Sequence, residues 1–116
     1  GAVHLGNPNA TVWSSAAIAI EAGLLLGMLY HVSRSLPLVI GVHAAWNFTQ
    51  GTVYGIPVSG TAASGWLVAR RDGPDWLTGG AFGIEASVVA VGLSTLVVAG
   101  LVRHAVRRGT IVPWRR

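Results

Sequence analysis

Cysteine is absent from this 116-residue chain, and so is lysine: the eight basic residues are all arginines. The first absence excludes disulfides and thiol catalysis without fixing a redox compartment. Charged residues make up only 10 % of the chain, against roughly 25 % in a typical soluble domain. Aromatic residues other than Trp are scarce. No HExxH arrangement, internal repeat or low-complexity tract occurs. The chain begins without Met and directly inside an apolar phrase, with no basic n-region, apolar core and cleavage site of a signal peptide. A fragment is the expectation, with an upstream helix running into Gly1.

What is present is apolar: 52 % hydrophobic residues and 16 glycines, a composition suited to membrane helices that approach each other closely. Three stretches are long enough to cross a roughly 30 Å hydrocarbon core. Segment A covers about residues 11–30 and carries Ala19, Gly23 and Gly27 at four-residue spacing, a stripe expected at a close helix contact. Trp13 and Tyr30 mark its interfacial ends. Segment B covers about 36–54, with Pro37 in its first turn. Segment C covers about 82–102. Between B and C lies a long Gly/Ser/Thr-rich loop, 55–80, whose Trp66 and Trp76 predict stretches on the bilayer surface or dipping back into the protein. The fold class expected is all-α, a polytopic membrane bundle of about three transmembrane helices plus the end of a preceding one.

Arginine placement gives an orientation. The A–B connection and the tail carry Arg34, Arg103, Arg107, Arg108, Arg115 and Arg116, whereas the B–C loop carries Arg70 and Arg71 opposed by Asp72 and Asp75. The positive-inside rule puts the C-terminus in the cytoplasm. The high pI therefore reads as topology, with no nucleic-acid partner. Arg103, Arg107 and Arg108 form a stop-transfer cluster that also touches anionic lipid.

Segment B holds the chemistry. His43, Asn47, Gln50 and Tyr54 follow one another at steps of four, three and four, a polar stripe on one helical face. Ionisable groups inside a membrane mark function unless they pair. Such a stripe lines a cavity, or it hydrogen-bonds neighbouring helices. His4 precedes Asn7-Pro8-Asn9, a turn-forming cluster, and so lies near a helix end. Alone it reads equally well as an ordinary interfacial histidine. Glu21, in mid-segment A, must be neutral or paired, and a packing role is the first reading. Glu85 is read in the first turn of segment C, where a carboxylate complements the helix N-terminus. His31 and His104 read as interfacial. The triplets Asn9-Ala10-Thr11 and Asn47-Phe48-Thr49 match a glycosylation acceptor only by chance.

Taken together, Gly1-Ala2-Val3-His4-Leu5-Gly6-Asn7-Pro8 and Gly41-Val42-His43-Ala44-Ala45-Trp46-Asn47-Phe48 resemble the second and third motifs of the CPBP family. These are the CAAX prenyl endopeptidase-related and bacteriocin-processing (Abi) intramembrane proteases, which include bacteriocin self-immunity proteins. Ala22–Tyr30 and Ser33-Arg34-Ser35-Leu36 are similar to the family's intervening helix and turn. The tail, with Ser59-Gly60 and Gly79–Glu85, is similar to one bacterial branch, which implies a bacterial cytoplasmic membrane. The family's first motif, a pair of adjacent glutamates, does not occur. The resemblance thus implies that residues 1–116 are the C-terminal part of one protease domain, inactive without its missing N-terminal half.

The resemblance further implies a membrane endopeptidase, in its metalloprotease form, in which an absent glutamate activates water. His4, His43 and Asn47 would be the catalytic residues, with His4 and His43 as ligands should a divalent metal such as zinc be held. The implied partners are membrane lipids and a peptide or protein substrate, lipid-modified in the eukaryotic branch. Two rivals stand beside this reading: a non-catalytic immunity or scaffold protein, and a transporter whose His/Asn/Gln stripe lines an ion path.

Overall fold

The computed structural model describes residues 1–111; Arg115 and Arg116 of the arginine-rich tail lie outside the described residues. A 3-10 turn, Ala2–Gly6, opens the chain. Helix α1 (Val12–Ile18) starts where Thr11 and Ser14 cap each other: the Ser14 amide donates to Thr11 Oγ1 at 3.0 Å and the Thr11 amide donates to Ser14 Oγ at 2.8 Å. Reciprocal capping of this kind satisfies two of the donors that a helix start leaves over. The helix continues through a π-helical turn, Ala19–Leu24, into α2 (Leu25–Ser33). Together they make one 22-residue helix, Val12–Ser33, roughly 33 Å long at the usual rise.

Arg34 ends this helix in the left-handed region, at φ 54°. Ser35 then caps α3 (Leu36–Asn47) through a bond from the Leu38 amide, with Pro37 in the first turn. A second π-helical stretch, Phe48–Val53, prolongs α3. The short helix α4 (Asp75–Thr78) and a 3-10 turn, Ile84–Ala86, precede α5 (Val88–Arg107), which Ser87 caps by accepting from the Ala90 amide at 3.1 Å. No strand occurs among the described residues. Val58 and Thr61 form one isolated antiparallel bridge.

Two distant hydrogen bonds give the helices their relative direction. Trp13 Nε1 donates to the Ala86 carbonyl at 2.7 Å, tying the start of α1 to the start of α5. His31 Nε2 lies 3.1 Å from Thr110 Oγ1, tying the end of α2 to the end of α5. The two long helices therefore run side by side in the same direction, and α3 returns against α2. An up-down-up bundle results.

Burial is inverted relative to a water-soluble domain. Ser14, Ser15, Gln50, Glu85, Ser87 and Ser94 are buried, while Leu24, Leu36, Ile40, Leu93 and Leu96 are more than half exposed. Apolar side chains facing outward around a partly polar interior suit a lipid solvent, where the apolar surface costs nothing and every polar group needs an internal partner. Val12–Ser33 and Val88–Arg107 are both long and apolar enough to cross a membrane. The small apolar core comprises Ile18, Phe82 and Ala86, with Ala10 and Ala22 packed against it.

Three sequence expectations change. Segment C starts six residues later than its composition suggests, because Gly83 (φ 120°) and the extended backbone of Ser87 interrupt the apolar run. The predicted span of segment B is α3 plus its π-helical extension rather than one regular helix, and it is not one of the two helices long and apolar enough to cross a membrane among the described residues. The Ala19–Gly23–Gly27 stripe makes no close helix contact among the described residues: a Cβ added to Gly23 or Gly27 meets no atom within 4 Å. Ala19 is approached instead by the N-terminal turn, where a Cβ on Gly1 falls 2.7 Å from Ala19 Cβ.

The 55–80 loop folds back on the end of segment B. The amides of Trp66 and Leu67 donate to the carbonyls of Thr52 and Val53 at 2.9 and 2.8 Å. Trp66 meets Phe48 edge to face, with centroids 5.7 Å apart, yet stays 74 % exposed. The part of the loop that enters the protein is the tight turn at Ser59 and Gly60, both at positive φ.

Candidate active site

A cavity of about 80 Å³ lies between α1–α2, α3 and the Ser59 turn. Its polar lining comprises His4, Glu21, His43, Asn47, Ser59, Glu85 and, from α5, Ser94; the remaining wall is largely aliphatic. All three site residues expected from sequence therefore reach one space, although they come from two elements far apart in the chain.

His4 is held by the 3-10 turn, in which its amide donates to the Gly1 carbonyl at 3.0 Å and its own carbonyl accepts from the Asn7 amide at 3.0 Å. Pro8 prevents the turn from continuing as a helix. His4 Nδ1 is buried without a hydrogen-bond partner. His43 and Asn47 stand one turn apart on α3, with His43 exposed and Asn47 half-buried. A helix face holds such a pair at fixed separation without a loop's conformational freedom.

A hydrogen-bonded strap fastens the His4 turn to the far loops. Asn7 Nδ2 donates to the Ser59 carbonyl at 2.8 Å. The Ser59 amide and hydroxyl donate to Glu85 Oε2 at 2.6 and 3.1 Å. The Gly60 amide donates to the Phe82 carbonyl at 2.7 Å. Three segments that are remote in sequence thus meet at one turn.

Glu85 corrects its sequence reading. It lies before α5, in the 3-10 turn, only 4 % exposed, and it clamps Ser59 instead of complementing a helix start. Glu21 sits within the π-helical turn of Ala19–Leu24 and lines the cavity, with Oε1 buried and unpartnered. Single π-helical turns inside α-helices concentrate at functional sites. Nothing in the sequence pattern pairs Ser59 with Glu85. Glu21 did carry a signal, the cost of a carboxylate in mid-span.

The stripe on segment B divides. His43 and Asn47 face the cavity, whereas Gln50 turns to the loop, where Nε2 donates to the Pro57 carbonyl at 2.5 Å and Oε1 has no partner. Tyr54 is exposed beside it. The wider π-helical turn that begins at Phe48 breaks the α-helical register between Asn47 and Gln50. His31 and His104 lie toward the other end of the bundle, outside the cavity.

Among the described residues, no three His, Asp, Glu or Cys side chains cluster closely enough to hold a metal ion. The described residues therefore do not form a metal centre by themselves.

A sequence model of the family described as type II CAAX prenyl endopeptidase Rce1-like matches residues 1–49. That stretch is similar to the family, and the match covers less than half of the chain. It contains the His4 turn, the Glu21 helix and α3 as far as Asn47, hence four of the seven polar cavity residues. The two apolar helices, Val12–Ser33 and Val88–Arg107, fit a membrane location. No curated protein and no solved structure matches the chain.

Proposed function

We propose that this chain supplies the His/Asn portion of an intramembrane endopeptidase of the CAAX-protease type. The observation that carries the reading is convergence. His4, His43 and Asn47, all within the Rce1-like stretch, line one small cavity in an otherwise apolar bundle. Peptide hydrolysis needs an activated water, stabilisation of a tetrahedral oxyanion and a proton for the leaving amine. The His43 ring and the Asn47 amide offer two donors from one rigid face to a developing oxyanion. His4 Nδ1, buried without a partner, is available to orient the attacking water. In this reading the chain is the C-terminal part of one protease domain, and its substrate is a peptide carrying a lipid group or a membrane anchor.

The parallel long helices bring the arginines to one end of the bundle, which supports an orientation. The bundle end joined by His31 and Thr110 carries Arg34, Arg103, Arg107 and Arg108, and belongs on the cytoplasmic side of a bacterial membrane.

The test uses the full-length protein in liposomes with a fluorogenic prenylated peptide. His4→Ala, His43→Ala and Asn47→Ala are each expected to lower kcat by about 10²–10³, as losses of oxyanion-type donors do. Wild-type turnover in all three variants refutes the assignment. Exhaustive chelation that leaves activity intact removes a bound divalent metal at His4 and His43 from the mechanism. A His43-dependent proton flux without proteolysis would favour the transporter reading, which the break in the stripe at Gln50 already weakens.

A further inference from the structure

Gln50 is 3 % exposed, and its side-chain amide is bonded on one side only. Nε2 donates to the Pro57 carbonyl at 2.5 Å. That carbonyl can only accept, so the amide nitrogen must face it and the oxygen must face away. The loop closes on the same group, since a Cβ on Gly83 would fall 3.0 Å from Nε2. Oε1 is thereby held in place, buried and without a hydrogen-bond partner. A buried amide oxygen is ordinarily bonded, and leaving it bare is costly. Gln50 lines a groove of about 340 Å³ on the flank of α3, whose wall is otherwise mostly apolar and includes Ala45, Trp46, Tyr54 and Ile84. Val42 and Trp46 line both this groove and the cavity of His4, His43 and Asn47. The groove therefore continues the candidate active site along α3 toward the loop. Trp46 and Tyr54 remain nearly half exposed, so their rings are free to receive a guest.

The guest must offer an apolar surface and an N–H together. A hydrocarbon chain has no donor for Oε1, and a water molecule has no apolar surface for the two rings. An extended peptide has both: a backbone N–H at each residue and side chains that alternate between its faces. We propose that the groove is a peptide-binding subsite, in which Gln50 Oε1 accepts a backbone N–H of the substrate and Trp46, Tyr54 and Ile84 receive the neighbouring apolar side chain. The proposal deepens the peptidase reading above and rests on it. Gln50 follows Asn47 by three residues, roughly 4–5 Å along the helix at the usual rise. Extended peptide advances about 3.3 Å per residue. The bonded N–H therefore belongs to a residue one or two positions from the scissile bond, and the contact seats the scissile carbonyl beside His43 and Asn47. Gln50 performs no chemistry in this arrangement. It sets register and selects an apolar residue at one position.

The experiment uses the full-length protein in liposomes and a fluorogenic prenylated peptide. Analogues replace one backbone amide near the scissile bond by an ester, which removes the N–H with little change of shape. One analogue is expected to lose about tenfold in kcat/KM with the wild type, the usual effect of one hydrogen bond. Gln50→Met is expected to lose about tenfold on the parent peptide, mainly through KM, and to be indifferent to that same ester. A merely structural role would leave the ester penalty in place. Equal turnover of all analogues by the wild type, or a penalty undiminished in Gln50→Met, overturns the subsite. Loss of activity in His43→Ala beside either result leaves the peptidase reading standing. Full activity in His43→Ala overturns both. Should Gln50→Met fail to fold, Ala45→Phe decides, because it fills the groove from a surface position. A KM raised about tenfold for prenylated and unprenylated peptides alike supports the proposal. An unchanged KM, or a rise confined to the prenylated peptide, refutes it, and the second outcome gives the groove to the lipid group.

Discussion

Replacing Glu85 by alanine tests the strap that joins the His4 turn to the loop. Glu85 is 4 % exposed, and one of its oxygens accepts from both the amide and the hydroxyl of Ser59. Hydrogen bonds to a carboxylate contribute roughly 1.5–3 kcal/mol, and a buried donor left without its partner costs roughly 1–3 kcal/mol. Glu85→Ala removes both bonds and strands the Ser59 amide, so a loss of about 3 kcal/mol is expected. Ser59→Ala removes only the 3.1 Å hydroxyl bond and should cost about 1 kcal/mol. The two losses should combine to less than their sum, because the variants share one interaction.

Reversible unfolding in mixed micelles measures these differences, and hydrogen exchange at residues 57–61 localises them. A loss of about 3 kcal/mol corresponds to roughly a 10²-fold rise in opening of the turn, at about 1.4 kcal/mol per factor of ten. The control is Asp72→Ala. Asp72 pairs with Arg70 at 3.6 Å with both side chains more than four-fifths exposed, and such pairs contribute little. If Glu85→Ala is no more destabilising than Asp72→Ala, the strap does not hold the site and the reasoning fails.

Two further perturbations probe the frame around the cavity. Gly60→Ala places a Cβ at φ 83° against the Pro8 carbonyl oxygen; a loss of about 2 kcal/mol or more is expected in the same unfolding assay, and a neutral result would show that the turn does not pack there. Trp13→Phe keeps the ring but removes the 2.7 Å bond to the Ala86 carbonyl, so a loss of about 1 kcal/mol is expected. Unchanged stability and unchanged exchange at residues 84–87 would refute the pairing of the two helix starts.

Much of the fold was legible because it depends on local chemistry. The apolar runs, the cap at Ser35, the proline in the following turn and the scarcity of charge each act within a few residues, and they located segments A and B closely. The His43 and Asn47 pair was legible for the same reason, since a four-residue step places two side chains on one face of any helix. Segment C was misplaced at its start because Phe82–Ala86 is apolar enough to read as helix, and only the backbone at Gly83 and Ser87 separates it. The stripe through Gln50 and Tyr54 was extrapolated at 3.6 residues per turn, and the π-helical stretch from Phe48 changes that period. The Gly23 and Gly27 stripe shows that a small-residue pattern permits close packing without requiring it.

By itself, then, the sequence determined an all-α membrane chain, the positions of its apolar segments, and a histidine and an asparagine on one helix face. It also carried the resemblance of about its first 55 residues to a protease family, which the family match over residues 1–49 supports. Only the tertiary structure decided that His4 joins His43 and Asn47, that Glu85 bonds to Ser59, and that Glu21 turns into the same cavity with an unpartnered oxygen. The physical reason is range. Hydropathy, capping and helical period act over a few residues along the chain. The cavity is lined by residues 4, 21, 43, 59 and 85, which come together only when the bundle packs.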